Sequence, residues 1–248
     1  MRCADTWAGR ALHGDFGESL RSGEEVGVAL LARAAPTVVL LLGGGLFALI
    51  MGAGLAFLGA LYPRSAFDHL IHVLSLIGAS APKFFVAAML IYVFGIVLHW
   101  VPTFGFAGPL SWLLPCIAIG IIPGSILSRV ARVALAEEMG RQYVVTSVSK
   151  GMTRRHILVH DVVPNALPVT INAFALHFAF MVQAALVIEP IFAWPGVAAY
   201  FIEAVRFRDF QVVQSCLLIF CIFFILVNLV VDLIALSLDP KQRQKRLA

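Results

Sequence analysis

Five long stretches of the chain are almost free of charge, and this feature most limits what the chain can fold into. A helix rises 1.5 Å per residue, so about 20 apolar residues cross the roughly 30 Å hydrocarbon core of a bilayer. The stretches cover about 36–61, 70–98, 112–128, 166–188 and 211–238, and their only Asp, Glu, Lys or Arg residues are Lys83 and Asp232. They do not alternate between apolar and polar residues as membrane strands do, which favours helices.

The composition agrees with a protein that spans a membrane. Of the 248 residues, 60% are hydrophobic and 13% are charged, whereas about 25% of an average soluble domain is charged. This excludes an ordinary water-soluble enzyme. We therefore predict an all-α, polytopic integral membrane protein with five transmembrane helices.

The distribution of charge over the loops predicts how these helices are oriented. Loops 62–69, 129–165 and 239–248 contain eleven basic and five acidic residues, against six and eight in 1–35, 99–111 and 189–210. Basic loops stay in the cytoplasm, so we expect a cytoplasmic C-terminus. Its basic tail, 241–246, is interpreted as a topology anchor helped by membrane lipid, not as a nucleic-acid site.

The N-terminal segment does not fit this arrangement by itself. With five spans and a cytoplasmic C-terminus, residues 1–35 belong outside as a periplasmic segment. They are polar and contain no signal-peptide apolar region to carry them across. We therefore expect that a segment which normally precedes residue 1 is missing from this sequence.

The longest polar connection, 137–165, is predicted to be structured. Gly151 interrupts it, Thr153 is a suitable N-cap, and Pro164 is a helix breaker. We predict a helix, a glycine turn, and a second short helix along the membrane surface. From these residues alone, a docking platform for a cytoplasmic partner and a long connector both remain open.

Motifs along nearly the whole chain resemble those of binding-protein-dependent ABC transporter permeases, closest to the branch that imports dipeptides, oligopeptides and nickel. They are His13–Ser19, Pro36-Thr37, Arg129 with Arg132, Tyr143-Val144 through Lys150-Gly151, Asn165–Pro168, Glu189–Gly196, Arg208–Phe210 with Val213-Gln214, Val227–Leu233 and Leu238–Pro240. Three positions depart from the family pattern, namely Gln142, Asp161 and the early Pro168.

The resemblance implies the type I ABC importer permease fold, spread over residues 36–248, and a coupling role for loop 137–165. In this family the loop's helices sit in a groove of the ATP-binding subunit and transmit its closure to the spans. The residues assigned to this ATPase-coupling loop are Tyr143, Lys150, Gly151, Arg154, Arg155 and Asn165. Gly151 would supply the turn, and each arginine would lie at the docking contact or at lipid headgroups. The family also has an additional helix before the point where this chain begins.

Polar residues in or next to the spans are candidates for the transport pathway or its gate. Lys83 would meet an anionic group of the substrate, or pair with another helix. Asn172 and Gln183 are eleven residues apart, three helical turns, so they share one face, which lines the pathway or makes interhelical hydrogen bonds.

The predicted outer loop contributes Glu189, Trp194, Pro195 and Gly196. We expect Pro195-Gly196 to be the centre of a type II turn, and the aromatic residues Phe192, Trp194, Tyr200 and Phe201 to lie at the membrane interface. The resemblance implies an extracytoplasmic gate that meets a solute-binding protein. A simple interfacial belt is the alternative.

The sequence contains no catalytic, cofactor or metal motif. There is no phosphate-binding Gly-Lys-Ser/Thr loop, and His69 and His72 are too few for a tetrahedral metal site. We expect no enzyme activity and no cofactor, with ATP hydrolysed by a separate chain.

The functional hypothesis is a permease subunit in the bacterial inner membrane that imports peptides, or nickel and its complexes. Its expected partners are a second homologous permease, cytoplasmic ATP-binding subunits and a periplasmic solute-binding protein. Two alternatives are an ion-coupled secondary transporter that uses Lys83, Glu189 and Asp232, and an inactive, N-terminally truncated permease.

Overall fold

A computed structural model describes residues 9–11, 14–105, 108 and 110–238, and beyond residue 230 it describes only the side chain of Leu233. The predicted basic tail and the side chain of Asp232 therefore lie outside the described residues. The helices are α1 (Val26–Leu61), α2 (Ala66–Ser80), α3 (Lys83–Leu90), α4 (Leu113–Met139), α5 (Gln142–Ser149), α6 (Arg154–Ile157), α7 (Val163–Ile191), α8 (Val197–Phe207) and α9 (Phe210–Leu238). Within the described part, pairing between strands is limited to one isolated bridge, Glu18 with Glu25.

In the described part of the chain, four helical stretches are long and apolar enough to cross a bilayer by themselves. They are α1, α4, the continuous stretch Arg154–Ile191 and Phe210–Val230 of α9. A fifth span is possible from α2 together with Lys83–Val97. The prediction of an all-α membrane protein is confirmed, with four or five candidate spans.

The second predicted span, 70–98, is not one continuous helix. It bends by 110° between Ser80 and Lys83, and Ala81 has an extended backbone with φ −70° and ψ 136°. Pro82 is the cause, since a proline disfavours the helical conformation of the preceding residue. Our prediction of an uninterrupted helix was therefore wrong, and Lys83 lies at the first position of α3.

The first span begins earlier than predicted. Helix α1 starts at Val26, so Pro36 lies in its interior and not at its first turn. The Thr37 hydroxyl approaches the Arg33 carbonyl at 3.4 Å, and the Arg33 guanidinium donates to the Ala29 carbonyl at 3.0 Å. Pro36 has no amide hydrogen, so the Ala32 carbonyl lacks the hydrogen bond that it would receive in a regular helix.

The chain divides into two compact units, which are described separately. The first contains Met1–Gly43, Lys83–Ile119 and Val182–Leu226, and the second contains Gly44–Pro82, Gly120–Met181 and Val227–Ala248. Most of the long helices contribute to both units.

The core of the first unit joins the start of α1 to α8 and α9. Its buried residues are Val26, Leu30, Val197, Ala204, Val212 and Cys216. Partly buried aromatic side chains surround it, with Phe201 and Phe220 edge to face at 5.7 Å. The short helix α8 is therefore held in place by packing against α1 and α9.

In the second unit, α1 and α4 approach closely through small residues. A Cβ atom added at Gly120 would lie 2.4 Å from the Gly44 carbonyl oxygen, and one at Gly52 would lie 2.7 Å from that of Gly124. Small residues allow such close backbone contact between membrane helices. The C-terminal parts of the same helices contribute to a second core, together with residues between 144 and 166. It is made of Ala56, Ala131, Ala134, Leu135, Val144, Ile157, Leu158, Val162 and Ala166.

Candidate functional sites

Loop 137–165 has the predicted first helix and glycine turn. Helix α5 begins after Arg141, and Lys150 ends it. Gly151 has a φ of +76°, with no atom within 4 Å of the position that a Cβ would occupy. Thr153 then caps α6 by accepting a hydrogen bond from the His156 amide. Glycine is needed at position 151 for its backbone conformation and not for lack of space.

We predicted a separate second helix in the loop, and this prediction is wrong. Helix α6 continues through a π-helical turn, Leu158–Val162, directly into α7. Pro164 does not break it, because the Val163 amide donates to the Leu158 carbonyl five residues earlier, and such π turns absorb local irregularity. A displacement of the loop can therefore act directly on a membrane-spanning helix.

One side of α5 faces the second core, and the other is open to solvent. Val144 is buried, whereas Val145, Val148 and Met152 are 62%, 59% and 40% exposed. The Ser147 hydroxyl donates to Asp161 at 2.8 Å, which ties α5 to the π turn. This leaves an apolar surface, Val145, Val148 and Met152, which we call the α5 face.

The predicted coupling residues differ in their contacts. Arg154 donates from Nε and Nη2 to the Ala60 carbonyl, at 3.3 and 3.1 Å, and so caps the end of α1. Asn165 donates to the Asp161 carbonyl at 2.6 Å. In the part of the chain that is described, the side chains of Lys150 and Arg155 make no hydrogen bond or ion pair, so both charges remain available.

Tyr143 donates its hydroxyl hydrogen to Glu138 at 2.7 Å. Partial burial, together with the adjacent Glu138 carboxylate, raises the pKa of Tyr143 to about 12. The phenol therefore stays protonated at physiological pH and acts as a donor. It holds the end of α4 against the start of α5.

In the first unit, Glu189 is fully buried and caps a helix that it does not belong to. Its carboxylate accepts hydrogen bonds from the Thr37 hydroxyl at 2.7 Å and from the Ala199 amide at 2.9 Å. The Thr37 oxygen in turn accepts from the Val197 amide at 2.8 Å. Two of the unpaired amides at the start of α8 are thus satisfied by side chains from α1 and α7.

The absence of a side chain at Gly196 leaves room for the Glu189 carboxylate. A Cβ at position 196 would lie 2.2 Å from a carboxylate oxygen. The backbone there is extended, with φ −98° and ψ 177°, so the predicted type II turn is wrong. The Gly196 amide instead donates to the Trp194 carbonyl at 2.8 Å, a tight turn around Pro195. The glycine is required for close approach.

The aromatic residues of this region lie partly inside the protein. Phe192 and Trp194 are buried, and the Trp194 indole donates to the Pro36 carbonyl at 3.0 Å. Tyr200 and Phe201 pack against the core of the first unit. The expectation that these side chains lie at the membrane interface is therefore wrong for Phe192 and Trp194, which are buried within the protein.

The segment before α1 is attached to the other end of α8. Ser19 donates to Asp209 at 2.6 Å, and both side chains are buried. Arg21 pairs with Glu203 and lies over the Phe207 ring at 3.6 Å. We call residues 189–209, with their contacts to 14–25 and 33–37, the α8 clamp.

The remaining candidates are not brought together. Asn172 and Gln183 are exposed on α7, and Lys83 is half-buried at the start of α3. Among the residues that the structure describes, Lys83 has no ion-pair partner, and no three His, Cys, Asp or Glu side chains are grouped as metal ligands.

Sequence reasoning missed two buried polar pairs. One is Ser19 with Asp209, and the other is Asp68 with Arg132, at 2.8 Å in the second unit. Asp68 also accepts from the Arg64 amide at 3.1 Å. No local spacing signals these pairs, whose members lie 190 and 64 residues apart.

Comparison with known proteins identifies the family. The model of the family "Binding-protein-dependent transport system inner membrane component" matches residues 44–244. The glutathione transport system permease protein GsiC of Escherichia coli (strain K12) is 29% identical over 235 residues, which cover 95% of this chain and 77% of that protein. The same protein of Salmonella typhimurium is 29% identical over 234 residues, covering 94% and 76%.

Solved structures share the fold. The methionine ABC transporter MetNI, in an inward-facing conformation, matches with a TM-score of 0.72 at 16% identity, over 85% of this chain and 96% of that one. An amino acid ABC transporter crystallised with histidines matches with a TM-score of 0.65 at 13% identity, over 84% and 92%. The family match, over residues 44–244, shows that the chain belongs to the inner membrane components of binding-protein-dependent transport systems, the permeases of ABC importers.

Proposed function

We propose that this chain is the permease subunit of an importer for short peptides. The observation that carries the substrate class is its 29% identity, over 95% of its length, to permeases of a glutathione transport system. Glutathione is a tripeptide, so the proposal extends that substrate class to this chain. Nothing in the described residues favours nickel.

The α5 face is the proposed docking surface for an ATP-binding subunit. It combines three exposed apolar residues with the available charges of Lys150 and Arg155. Apolar side chains next to unpaired cations are typical of an interface that another protein covers. The continuous helix from Arg154 to Ile191 would carry its movement into the membrane.

The α8 clamp is the proposed extracytoplasmic gate, opposite the α5 face in predicted topology. Its buried hydrogen bonds hold a short helix between two spans, which suits an element that moves as a rigid body. A solute-binding protein would deliver peptide on this side, and a second homologous permease would complete the pathway in the inner membrane. The C-terminus would then be cytoplasmic.

Uptake measurements test the substrate class. We expect cells that carry the complete transporter to accumulate labelled glutathione or dipeptides, with unlabelled peptides competing and nickel ions not competing. Deletion of this chain alone should abolish that accumulation. Uptake of nickel without uptake of any short peptide would contradict the proposal.

A further inference from the structure

A cavity of about 860 Å³ opens in the second unit, at the end of α4 that leads to Met139. Its apolar walls include Ile126, Val130, Val133 and Val169. Its polar lining consists of His69, His72, Arg129, Arg132 and Glu137. Neither the α5 face nor the α8 clamp includes these residues, so the proposed function does not account for the cavity.

The depth of the cavity follows from the length of α4. Trp112, 41% exposed, precedes this helix and is typical of a membrane interface. The roughly 30 Å core is crossed in about 20 residues, so α4 leaves it near residue 132. Arg129 and Arg132 therefore lie at the level where lipid phosphates are found. Glu137 lies farther towards water, more than one helical turn beyond Arg132.

The two arginines differ in their contacts. Arg132 is held by the buried carboxylate of Asp68, 2.8 Å from one of its terminal nitrogens. A guanidinium has five N–H donors, so several remain for a second acceptor. Arg129 is exposed, and within the described part of the chain it has no ion-pair partner. One fixed and one free guanidinium thus line the same cavity.

Glu137 is also exposed and, among the described residues, pairs with no cation. Along α4, from the membrane core outwards, the lining therefore runs from Ile126, through two arginines, to one carboxylate. An ethanolamine phospholipid has the same order of groups, namely acyl chains, phosphate and ammonium. Basic pockets at the ends of membrane helices are known to bind lipid headgroups.

We propose that this cavity binds an ethanolamine phospholipid. Its phosphate lies at Arg129 and Arg132, its ammonium group at Glu137, and one acyl chain along Ile126 and Val169. The carboxylate distinguishes this ligand from a phosphatidylglycerol, whose headgroup has no cation to pair with Glu137. The apolar walls distinguish it from free phosphate, which has no acyl chain to place there.

Native mass spectrometry of the transporter complex, purified in detergent, tests the proposal. The probes are phosphatidylethanolamine, phosphatidylglycerol and inorganic phosphate, titrated separately. We expect saturable binding of phosphatidylethanolamine, weakened about tenfold by Arg129→Gln, the effect of losing one charge-assisted hydrogen bond. Arg129→Lys should restore part of the affinity, and Arg206→Gln, which removes an exposed arginine from α8, should leave it unchanged.

Glu137→Gln separates the headgroups. It should weaken binding of phosphatidylethanolamine and strengthen that of phosphatidylglycerol, because a repulsive carboxylate is lost. Equal binding by the parent and Arg129→Gln would overturn the proposal, as would displacement of the lipid by inorganic phosphate at equal affinity. A Val133→Cys variant that cross-links fully to a second permease subunit in lipid-free detergent would also overturn it, since a protein would then cover the cavity.

Discussion

The α8 clamp and the α5 face differ in how their polar and apolar groups are satisfied. In the clamp, Glu189, Thr37 and Asp209 are buried and hydrogen-bonded within the chain. On the α5 face, three large apolar side chains are exposed beside Lys150 and Arg155, which have no ion-pair partner among the described residues. The clamp is thus satisfied within this chain, whereas we propose that a partner covers the α5 face. Substitutions in the clamp should therefore reduce stability, and substitutions on the α5 face should reduce assembly.

Glu189→Ala should have the largest effect. It leaves the buried Ala199 amide without its acceptor and the Thr37 hydroxyl without its best one, which costs about 2–4 kcal/mol in unfolding free energy. Thermal unfolding of the purified protein measures it. The matched control is Glu203→Ala, which removes an exposed carboxylate from the same region. Equal destabilisation by both variants would show that the clamp does not depend on the buried carboxylate.

Gly196→Ala should destabilise the clamp by about 1–3 kcal/mol, because the new methyl group overlaps the Glu189 carboxylate. Gly54→Ala provides the control, as no atom lies within 4 Å of a Cβ there. In the middle of α1, that alanine should be neutral or stabilising. Unfolding midpoints of the two variants decide the matter, and a stable Gly196→Ala protein would refute the close approach.

Gly151→Val should affect coupling more than folding. Its φ of +76° costs a β-branched residue roughly 1–2 kcal/mol locally, and this should shift α5 relative to α6. We expect ATP hydrolysis to continue while uptake falls several-fold. Gly151→Asn should retain more uptake, since asparagine tolerates this conformation. Normal uptake by the valine variant would argue against a coupling role for the turn.

Val148→Asp should leave stability unchanged and weaken binding of the ATP-binding subunit about tenfold, about 1.4 kcal/mol. The exposed valine of α8, Val205, provides the control, because Val205→Asp changes the same residue type in the other region. Co-purification of the subunit with each variant measures the difference. If both variants retain it equally, the α5 face is not the docking surface.

The smallest predicted effect is on the stability of the protein at acidic pH. Burial raises the pKa of Asp209, but hydrogen bonds from Ser19 and from backbone amides outweigh it and hold the pKa below its ordinary value of 3.8. A lowered pKa stabilises the folded state above the unfolded pKa, and this contribution disappears as the pH falls through the folded value. Asp209→Asn should therefore be less stable than the parent at neutral pH, and the difference in unfolding free energy should shrink below pH 3.8. A difference that stays constant across this pH range would contradict the prediction.

Much of the fold was predictable because apolar runs and loop charges are local properties. The five apolar stretches and the turn at Gly151 needed only residue types and spacing. The break before Lys83 was also predictable from Pro82, since a proline disfavours a helical conformation of the residue before it. By contrast, the interior position of Pro36 was not evident, because a proline at the edge of an apolar run also suits the first turn of a helix.

The clamp was predictable only in outline. The motif around Glu189 indicated a functional loop, but its partner Thr37 lies 152 residues away in sequence. Gly196 looked like a turn residue because Pro-Gly is typical of turns, whereas its actual requirement is a carboxylate from another helix. Contacts over such distances depend on how the spans pack, and one sequence without packing information does not specify them.

We propose that this permease works by ATP-driven coupling through the α5 face. The most direct measurement is peptide uptake into vesicles that contain the complete transporter, with ATP-binding subunits either active or inactivated by substitution of their catalytic glutamate. We predict that inactive subunits still bind the permease and that uptake is lost. Undiminished uptake with inactive subunits would contradict ATP-driven coupling and favour ion-coupled transport.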